Sequence, residues 1–334
     1  MKVNKLFDIN KDNFSLTDKV YSQLQYGDER MLSDVEITIL MPIYNHCRFL
    51  EQALESALDQ ETSYKYCILV VDNDADNTYH NLDIITDLNS SRIVYYRNSE
   101  NIGLVGNWNR VIKLAKSQYV TFLHDDDMFF SYTIQYLMDT FKKYPQRAII
   151  GQYEIIDAEN NTIQKRISNK GFIPIVMYHL LINNITGNGV GSLFEREKLI
   201  EQGGFSHDFM PCLDYALFTR YVYYYGGIFC KKVLSKNRLA DNFSFECNND
   251  IAEADYKIKE CIIPKLKVPS FVLSNYIRIY KKKQLIDIHD TYLNESEYNG
   301  PLLTILDRYY LKLCNRLFAK LRKKSEWRIY GFQE

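Results

Sequence analysis

Residues 122–130, FLHDDDMFF, set three consecutive carboxylates, Asp125, Asp126 and Asp127, directly after a run of strand-forming apolar residues. Two like charges about 6 Å apart at an effective dielectric near 20 repel by roughly 2–3 kcal/mol. Such a triplet is stable where water screens it, where the carboxyls take up protons, or where a cation sits among the oxygens. A solvated acidic turn accounts for an isolated triplet, so the decision rests on the surrounding sequence. Two further polar clusters sit in the same kind of place. Tyr44 and Asn45 follow EITILMPI, and Asp72, Asn73 and Asp74 follow YCILVV.

The elements that must position these residues are legible from periodicity. The runs at 36–43, 66–72, RIVYYRNS and YVTFLHDDD read as buried strands, the first stopped by Pro42 and Asn45. Between them CRFLEQALESALDQ places Leu50, Ala53, Leu54, Ala57 and Leu58 at helical spacing, and NWNRVIKLAKS and SYTIQYLMDTFKKYP are further amphipathic helices. Strands alternating with helices predict an α/β fold with a mostly parallel central sheet flanked by helices. In such sheets ligands bind beyond the carboxyl ends of the strands. All three polar clusters fall at such ends, which describes a pocket on one sheet edge rather than scattered acidic turns. The pattern divides the chain into a polar, partly helical lead-in over 1–35, a catalytic domain over 36–245 and a helical, increasingly basic C-terminal appendage over 246–334.

Composition narrows the function classes. The 334 residues are 46% hydrophobic and 25% charged, an ordinary globular balance. With 41 basic and 42 acidic residues the net charge is −1, so no global field attracts nucleic acid. Cysteines 47, 67, 212, 230, 247, 261 and 314 form no CxxC pair and read as free thiols of a reducing cytosol. MKVNKLFDINKDNFSL lacks the apolar core of a signal peptide, and no window of 18 residues is apolar and uncharged. These features predict a cytoplasmic protein. No GxxxxGK[ST] motif occurs, and Gly103-x-x-Gly106 is not a dinucleotide fingerprint.

In order and spacing the motifs resemble family 2 glycosyltransferases over roughly residues 36–245. ITILMPIYNHCRFLEQALESALDQ resembles that family's opening strand, P-x-Y-N turn and first helix; VVDNDADNT resembles its VVDDGSTDNT loop, one residue short. NSENIGLVGNWNRVIKLAKSQYVTFLHDDD and GSLFEREKLIEQGGF followed by LDYAL resemble its later segments. The sequence departs from the pattern where His124 occupies the first acidic position, where Trp108 precedes Asn109, and where Leu213-Asp214 replaces a Glu-Asp pair.

The resemblance implies a GT-A fold and a metal-dependent, inverting transfer of a sugar from a nucleotide-diphosphate donor, a UDP-sugar by expectation, to a hydroxyl of a saccharide acceptor in surface polysaccharide (O-antigen type) synthesis. It implies Mn²⁺ or Mg²⁺ on Asp126 with Asp127 and Asp125, Asp125 alternatively touching ribose. Strict strand alternation would separate Asp126 and His124 from Asp125 and Asp127, unless the strand end bends. Asp72 is expected to accept from base or ribose, or else to close an Asx-turn. Pro42, Tyr44 and Asn45 are expected to wall the base, Asn101 and Gly103 to shape the loop beneath the nucleotide, and Asn109 to join them or simply cap its helix. Gly191, within Gly189-Val190-Gly191-Ser192, permits close approach of a sugar ring. Arg238 either approaches the diphosphate or forms a surface ion pair. Asp214 is the expected general base, against a helix-terminal acid favoured by the dipole. His124 and His207 read as structural histidines.

The C-terminal stretch LLTILDRYYLKLCNRLFAKLRKKSEWR places Leu306, Leu313, Leu317 and Leu321 on one helical stripe among Arg308, Lys312, Arg316, Lys320, Arg322, Lys323, Lys324 and Arg328. This predicts either peripheral contact with the inner face of a membrane, where a lipid-diphosphate-linked acceptor would reside, or a helix packed on the catalytic domain with a solvated basic face. Two rival functions remain at this stage: a nucleotidyltransferase, which would need a Gly-rich basic loop where PIYNHCRFLEQ stands, and an inactive sugar-binding or assembly module.

Overall fold

In the runs ITILMPI and YCILVVD, successive side chains point to opposite faces of a strand, and in the computed structural model of the chain both faces are buried. Ile37, Ile39, Met41 and Ile43 enter one apolar cluster with Ile68 and Val70, while Leu40, Leu69 and Val71 enter another. The structure describes residues 5–45, 48–76, 78, 80–240, 248–292 and 300–330. In chain order the elements are β1 (Ser22–Tyr26), α1 (Met31–Asp34), β2 (Ile37–Ile43), α2 (Leu50–Leu58), β3 (Tyr66–Asp72), α3 (Asn81–Asp87), β4 (Ile93–Asn98), α4 (Gly103–Leu114), β5 (Tyr119–Phe122), β6 (Met128–Phe129) and α5 (Thr133–Lys143). They continue as β7 (Ala148–Ile156), β8 (Thr162–Gln164), β9 (Phe172–Ile175), α6 (Met177–Ile182), β10 (Leu193–Glu195), α7 (Arg196–Glu201), α8 (Leu213–Tyr225), β11 (Gly227–Arg238), α9 (Asn248–Ile262), α10 (Ser270–Tyr292) and α11 (Ile305–Tyr330).

One sheet runs β1-β4-β3-β2-β5-β10-β7-β11-β6, with β8 beside β7 and β9 beside β11. The block β4-β3-β2-β5 is parallel throughout, as the sequence predicts, and β11 runs parallel to β7. The short strands β6, β8, β9 and β10 and the edge strand β1 all join antiparallel. Helices α2, α3 and α5 cover one face; α4 and α6 to α11 cover the other. This is the α/β layering expected.

The lead-in is stitched into the domain. Ser22 pairs with Asn98 across β1 and β4. The Arg110 guanidinium donates to Thr17 O and Val20 O, both at 2.7 Å, and to Ser22 Oγ at 2.6 Å. Tyr224 Oη on α8 donates to Phe7 O at 2.6 Å. The C-terminal helices share a core with α6 and α8, where Phe318 meets Tyr276 edge to face at 4.9 Å and also contacts Tyr178. The boundary expected at 245 lies outside the described residues. Among those residues no helix is long and apolar enough to cross a membrane.

Candidate active site

The carboxyl ends of β2, β3 and β4 are tied together by uncharged amides. Asn107 Nδ2 reaches back from α4 to Ile43 O and Val71 O, at 3.1 and 3.0 Å. Asn98 donates to Asn107 Oδ1 at 2.9 Å and to Asn73 Oδ1 at 3.1 Å, and Asn73 donates to Asn101 Oδ1 at 2.6 Å. Asn101 Oδ1 also receives the Gly103 N–H at 2.8 Å. Gly103 has φ +71° with open space where a Cβ would stand, so backbone conformation rather than crowding selects glycine there. Asn101 and Gly103 therefore fix the conformation of this loop. Beside them Pro42 is half-buried at the end of β2, Tyr44 is exposed, and Asn45 adopts φ +66° while its carbonyl accepts from Asn81.

Asp72 closes β3 but is 1% exposed. Its Oδ1 accepts the Asp74 N–H at 2.8 Å, an Asx-turn; its Oδ2 accepts from Tyr95 Oη at 2.7 Å and Asn81 Nδ2 at 3.2 Å. Burial pushes this carboxyl above its ordinary range. The expected direct contact with base or ribose is thus not offered by an open carboxylate; Asp72 braces the strand end.

The acidic triplet does not continue the strand. β5 ends at Phe122, the backbone turns over Asp125 and Asp126, and Asp127 N–H folds back toward His124 O at 3.4 Å. The turn overrides strand alternation and brings Asp127 to the same side as His124 and Asp126. One ligand atom from each of His124, Asp126 and Asp127 lies within 4.8 Å of the others. Asp125, expected among the ligands, is outside this group, and His124, read as structural, is inside it. Asp127 is 2% exposed, with Oδ2 3.3 Å from His124 Nδ1. Burial, then the Asp126 charge, pushes its carboxyl well up, and burial lowers the His124 imidazole. The donor set suits a divalent cation. Mg²⁺ and Mn²⁺ take carboxylate oxygens and Mn²⁺ accepts imidazole. His124 Nε2 is a buried nitrogen without a hydrogen-bond partner, and the ring meets Trp108 edge to face at 5.1 Å.

Arg238 fits neither expectation. It is 2% exposed and fastens the turn. Its backbone N–H donates to Asp127 Oδ1 at 2.7 Å and its Nε to Asp126 O at 2.8 Å. Its Nη atoms donate to Asp157 O at 2.8 Å, Asn160 Oδ1 at 2.8 Å and Gln52 Oε1 at 3.1 Å, and the guanidinium lies 4.1 Å above the Phe49 ring. With Nε and both Nη atoms pointed at fixed acceptors, no fork is left for a diphosphate.

The glycine-rich segment before β10 forms the far wall. Asn188 Nδ2 donates to Asp127 Oδ2 at 3.2 Å, and Val190 bridges to Phe122. Gly189 has φ +84°, and a Cβ there would stand 2.6 Å from the Phe218 ring of α8. Gly191 has φ +68°, and its carbonyl lies where a Cβ on Gly151 would be only 2.2 Å away. The segment thus links the acidic turn to α8, whose first turn carries Asp214. The Asp214 Oδ1 accepts the Tyr215 N–H at 2.7 Å, and burial pushes the carboxyl up to about 6. Asn109 does not join the site: its amide donates to Phe205 O at 3.0 Å and accepts Phe205 N–H at 2.8 Å, pairing like a strand. The cofactor role expected of it is corrected to a pin between α4 and that loop.

The parallel strands, the polar edge and the acidic turn are those of a known family. Residues 38–203 match the family described as Glycosyl transferase family 2. The chain carries a family 2 glycosyltransferase domain. It is 25% identical over 225 residues to an uncharacterised glycosyltransferase of Rickettsia conorii, covering 64% of this chain and 37% of that protein. The chain thus spans little more than a third of the length of that relative. It is also 25% identical over 259 residues to the Escherichia coli UDP-Glc:alpha-D-GlcNAc-diphosphoundecaprenol beta-1,3-glucosyltransferase WfgD, covering 77% of this chain and 98% of WfgD. Among solved structures, S. aureus TarS 1–349 in complex with UDP-GlcNAc superposes with a TM-score of 0.56 at 13% identity, over 85% of this chain and 80% of that one. The mannosyltransferase PcManGT from Pyrobaculum calidifontis, in complex with GDP-Man and Mn²⁺, gives 0.54 at 14% identity over 87% and 83%. The fold is GT-A.

Several residues of this domain escaped the sequence reading: His124 as a member of the candidate ligand group, Asn188, Tyr95, Asn81, and the amides of Asn98 and Asn107. Asn98 carried a usable signal, since it closes β4 as Asp72 closes β3.

Proposed function

We propose that this chain transfers a sugar, with inversion, from a UDP-sugar to a hydroxyl of a lipid-diphosphate-linked saccharide. One observation carries the reading: a group of one imidazole and two carboxylates at the strand-end edge, joined through the Asn188–Gly191 wall to a helix whose first acid, Asp214, is raised to about 6. That value places a base near neutral working pH. His124, Asp126 and Asp127 would hold the divalent ion, which would supply Lewis-acid stabilisation of the charge on the departing diphosphate. The amide-tied ends of β2, β3 and β4 seat the nucleotide, with exposed Tyr44 beside the base. Asp214 takes the proton of the acceptor hydroxyl as its oxygen bonds to the anomeric carbon and the bond from that carbon to the diphosphate breaks. One base and no enzyme nucleophile yield inversion. WfgD, by its name, uses UDP-Glc and a diphosphoundecaprenol-linked sugar, which favours that donor and acceptor class. The inactive-module alternative is disfavoured by a raised carboxyl that a non-catalytic helix start does not need.

The test is a thermal-shift panel of UDP- and GDP-sugars, each with and without Mn²⁺, followed by transfer to a lipid-diphosphate saccharide. Stabilisation by UDP-sugars with Mn²⁺ is expected. Stabilisation by no nucleotide diphosphate under either condition would sink the assignment.

A further inference from the structure

The basic C-terminal helix α11 has two apolar faces, and only one is used by the fold. Leu311, Cys314 and Phe318 are 8, 3 and 0% exposed, against Tyr178 and Tyr276. The other line consists of Ile305, Leu306, Tyr309, Leu313 and Leu317, which are 74, 80, 68, 67 and 42% exposed, and Leu302, just before the helix, is 72% exposed. The stripe expected from sequence is therefore split: Leu306, Leu313 and Leu317 face outward, whereas Leu321 is half-buried against the core. The packed-helix alternative holds for a different set of residues.

Charge is arranged along the same exposed line. Lys320 and Lys324 lie seven residues beyond Leu313 and Leu317 and continue it, while Arg308, Lys312, Arg316 and Lys323 border it; all six are exposed. Asp307 is the sole acid of α11 from 305 to 325, and it is tied back to Lys282 and the Thr304 N–H. Arg328 lies outside the residues whose side chains are described. Aliphatic and tyrosyl side chains flanked only by cations match a headgroup layer with negative charge and acyl chains beneath. A second copy of this chain would set the same cations against each other. We propose that this face of α11 docks on an anionic lipid surface, with Leu306, Tyr309, Leu313 and Leu317 inserted and the lysines and arginines on the headgroups. The proposal deepens the reading of a lipid-linked acceptor, but its test needs neither donor nor acceptor, so the two fail separately.

Flotation of the full chain with phosphatidylcholine vesicles, with and without phosphatidylglycerol, decides it. The chain should float with anionic vesicles at least about tenfold better than with neutral ones, and lose that advantage when ionic strength rises from about 0.1 M to about 1 M and the Debye length falls from about 10 Å to about 3 Å. The triple variants Leu306→Gln/Leu313→Gln/Leu317→Gln and Lys320→Gln/Lys323→Gln/Lys324→Gln should each lower recovery about tenfold while melting like the parent. If the apolar variant melts lower, the lysine variant alone carries the decision. Equal recovery on both vesicle types, or unchanged recovery of the lysine variant, overturns the proposal. So does a parent dimer in light scattering that the apolar variant dissociates while neither protein floats, because the face then belongs to a second copy.

Discussion

Replacing Asp214 with asparagine should slow transfer and stabilise the protein at once. The carboxyl rises from an ordinary 3.8 to about 6 because burial penalises its charge. Two units at about 1.36 kcal/mol each put an upper cost near 3 kcal/mol on keeping it ionised. The sign follows from the direction of the shift. A raised carboxyl favours the protonated fold, so the penalty is absent below 3.8, grows through the interval, and is full above about 6. Asparagine keeps an oxygen for the Tyr215 N–H and carries no charge. With an unfolding entropy of roughly 2 cal/mol/K per residue, 3 kcal/mol across 334 residues is about 4 °C. Asp214→Asn should therefore melt up to about 4 °C higher at pH 7.5 and no higher at pH 4. Turnover should fall by about 10²–10⁴-fold at saturating donor; the parent's rate should show an acid limb near pH 6, and the variant should lack it. Scanning calorimetry and product formation followed by mass spectrometry read the two effects. An acid serving the helix dipole predicts the opposite stability change, a loss of about 0.3–1 kcal/mol. A destabilised variant with near-normal turnover would refute the base assignment.

Two further substitutions test the acidic turn. Calorimetric titration of UDP with Mn²⁺ should show affinity reduced at least about a hundredfold by Asp126→Asn or Asp127→Asn and about tenfold by His124→Ala, while Asp125→Asn changes it by no more than about twofold; a larger effect at Asp125 than at His124 would mean the ligand group is wrongly drawn. Arg238→Met strips the turn of its fastener and removes the donors that Asp126 O and Asp157 O take from the guanidinium, so urea unfolding should report a loss of about 3–5 kcal/mol, with Mn²⁺ affinity falling alongside; weakened nucleotide binding at unchanged stability would instead favour a diphosphate contact.

What the sequence disclosed follows from how locally each feature is encoded. The parallel strands β2, β3, β4 and β5 are continuous apolar runs, and the helices between them carry a clear 3.6-residue period, so both were legible. β11 was not, because its pairing to β7 slips between Cys230 and Val233 and again between Val233 and Ser235, which breaks the two-residue alternation a strand would show. β6 and β10 are two and three residues long and owe their existence to partners far along the chain. Within the site, residue types were read better than directions. The triplet was found, but a turn set by Arg238, 111 residues beyond Asp127, decides which acids converge. Asn109 was misassigned because its partner, the Phe205 backbone, lies 96 residues away. Asp72 was placed correctly at its strand end, while its donors come from Tyr95 and Asn81, which no local pattern announces.

The stitching of residues 5–26 into the domain has a kinetic consequence. Tyr224 donates to Phe7 O and Arg220 to Leu6 O from the helix that carries Asp214 in its first turn, and β1 waits for β4, some seventy residues downstream. During synthesis the stretch around Leu6 and Phe7 therefore stays without its partners until α8 has left the ribosome, and the edge of β4 stays open until β1 returns to it. Contacts spanning more than 200 residues make closure of this half of the domain a late, slow event. Residues made some two hundred positions before α8 are thus among the last to find their place, and in the interval the exposed β4 edge is where a chaperone, or another nascent chain, would pair.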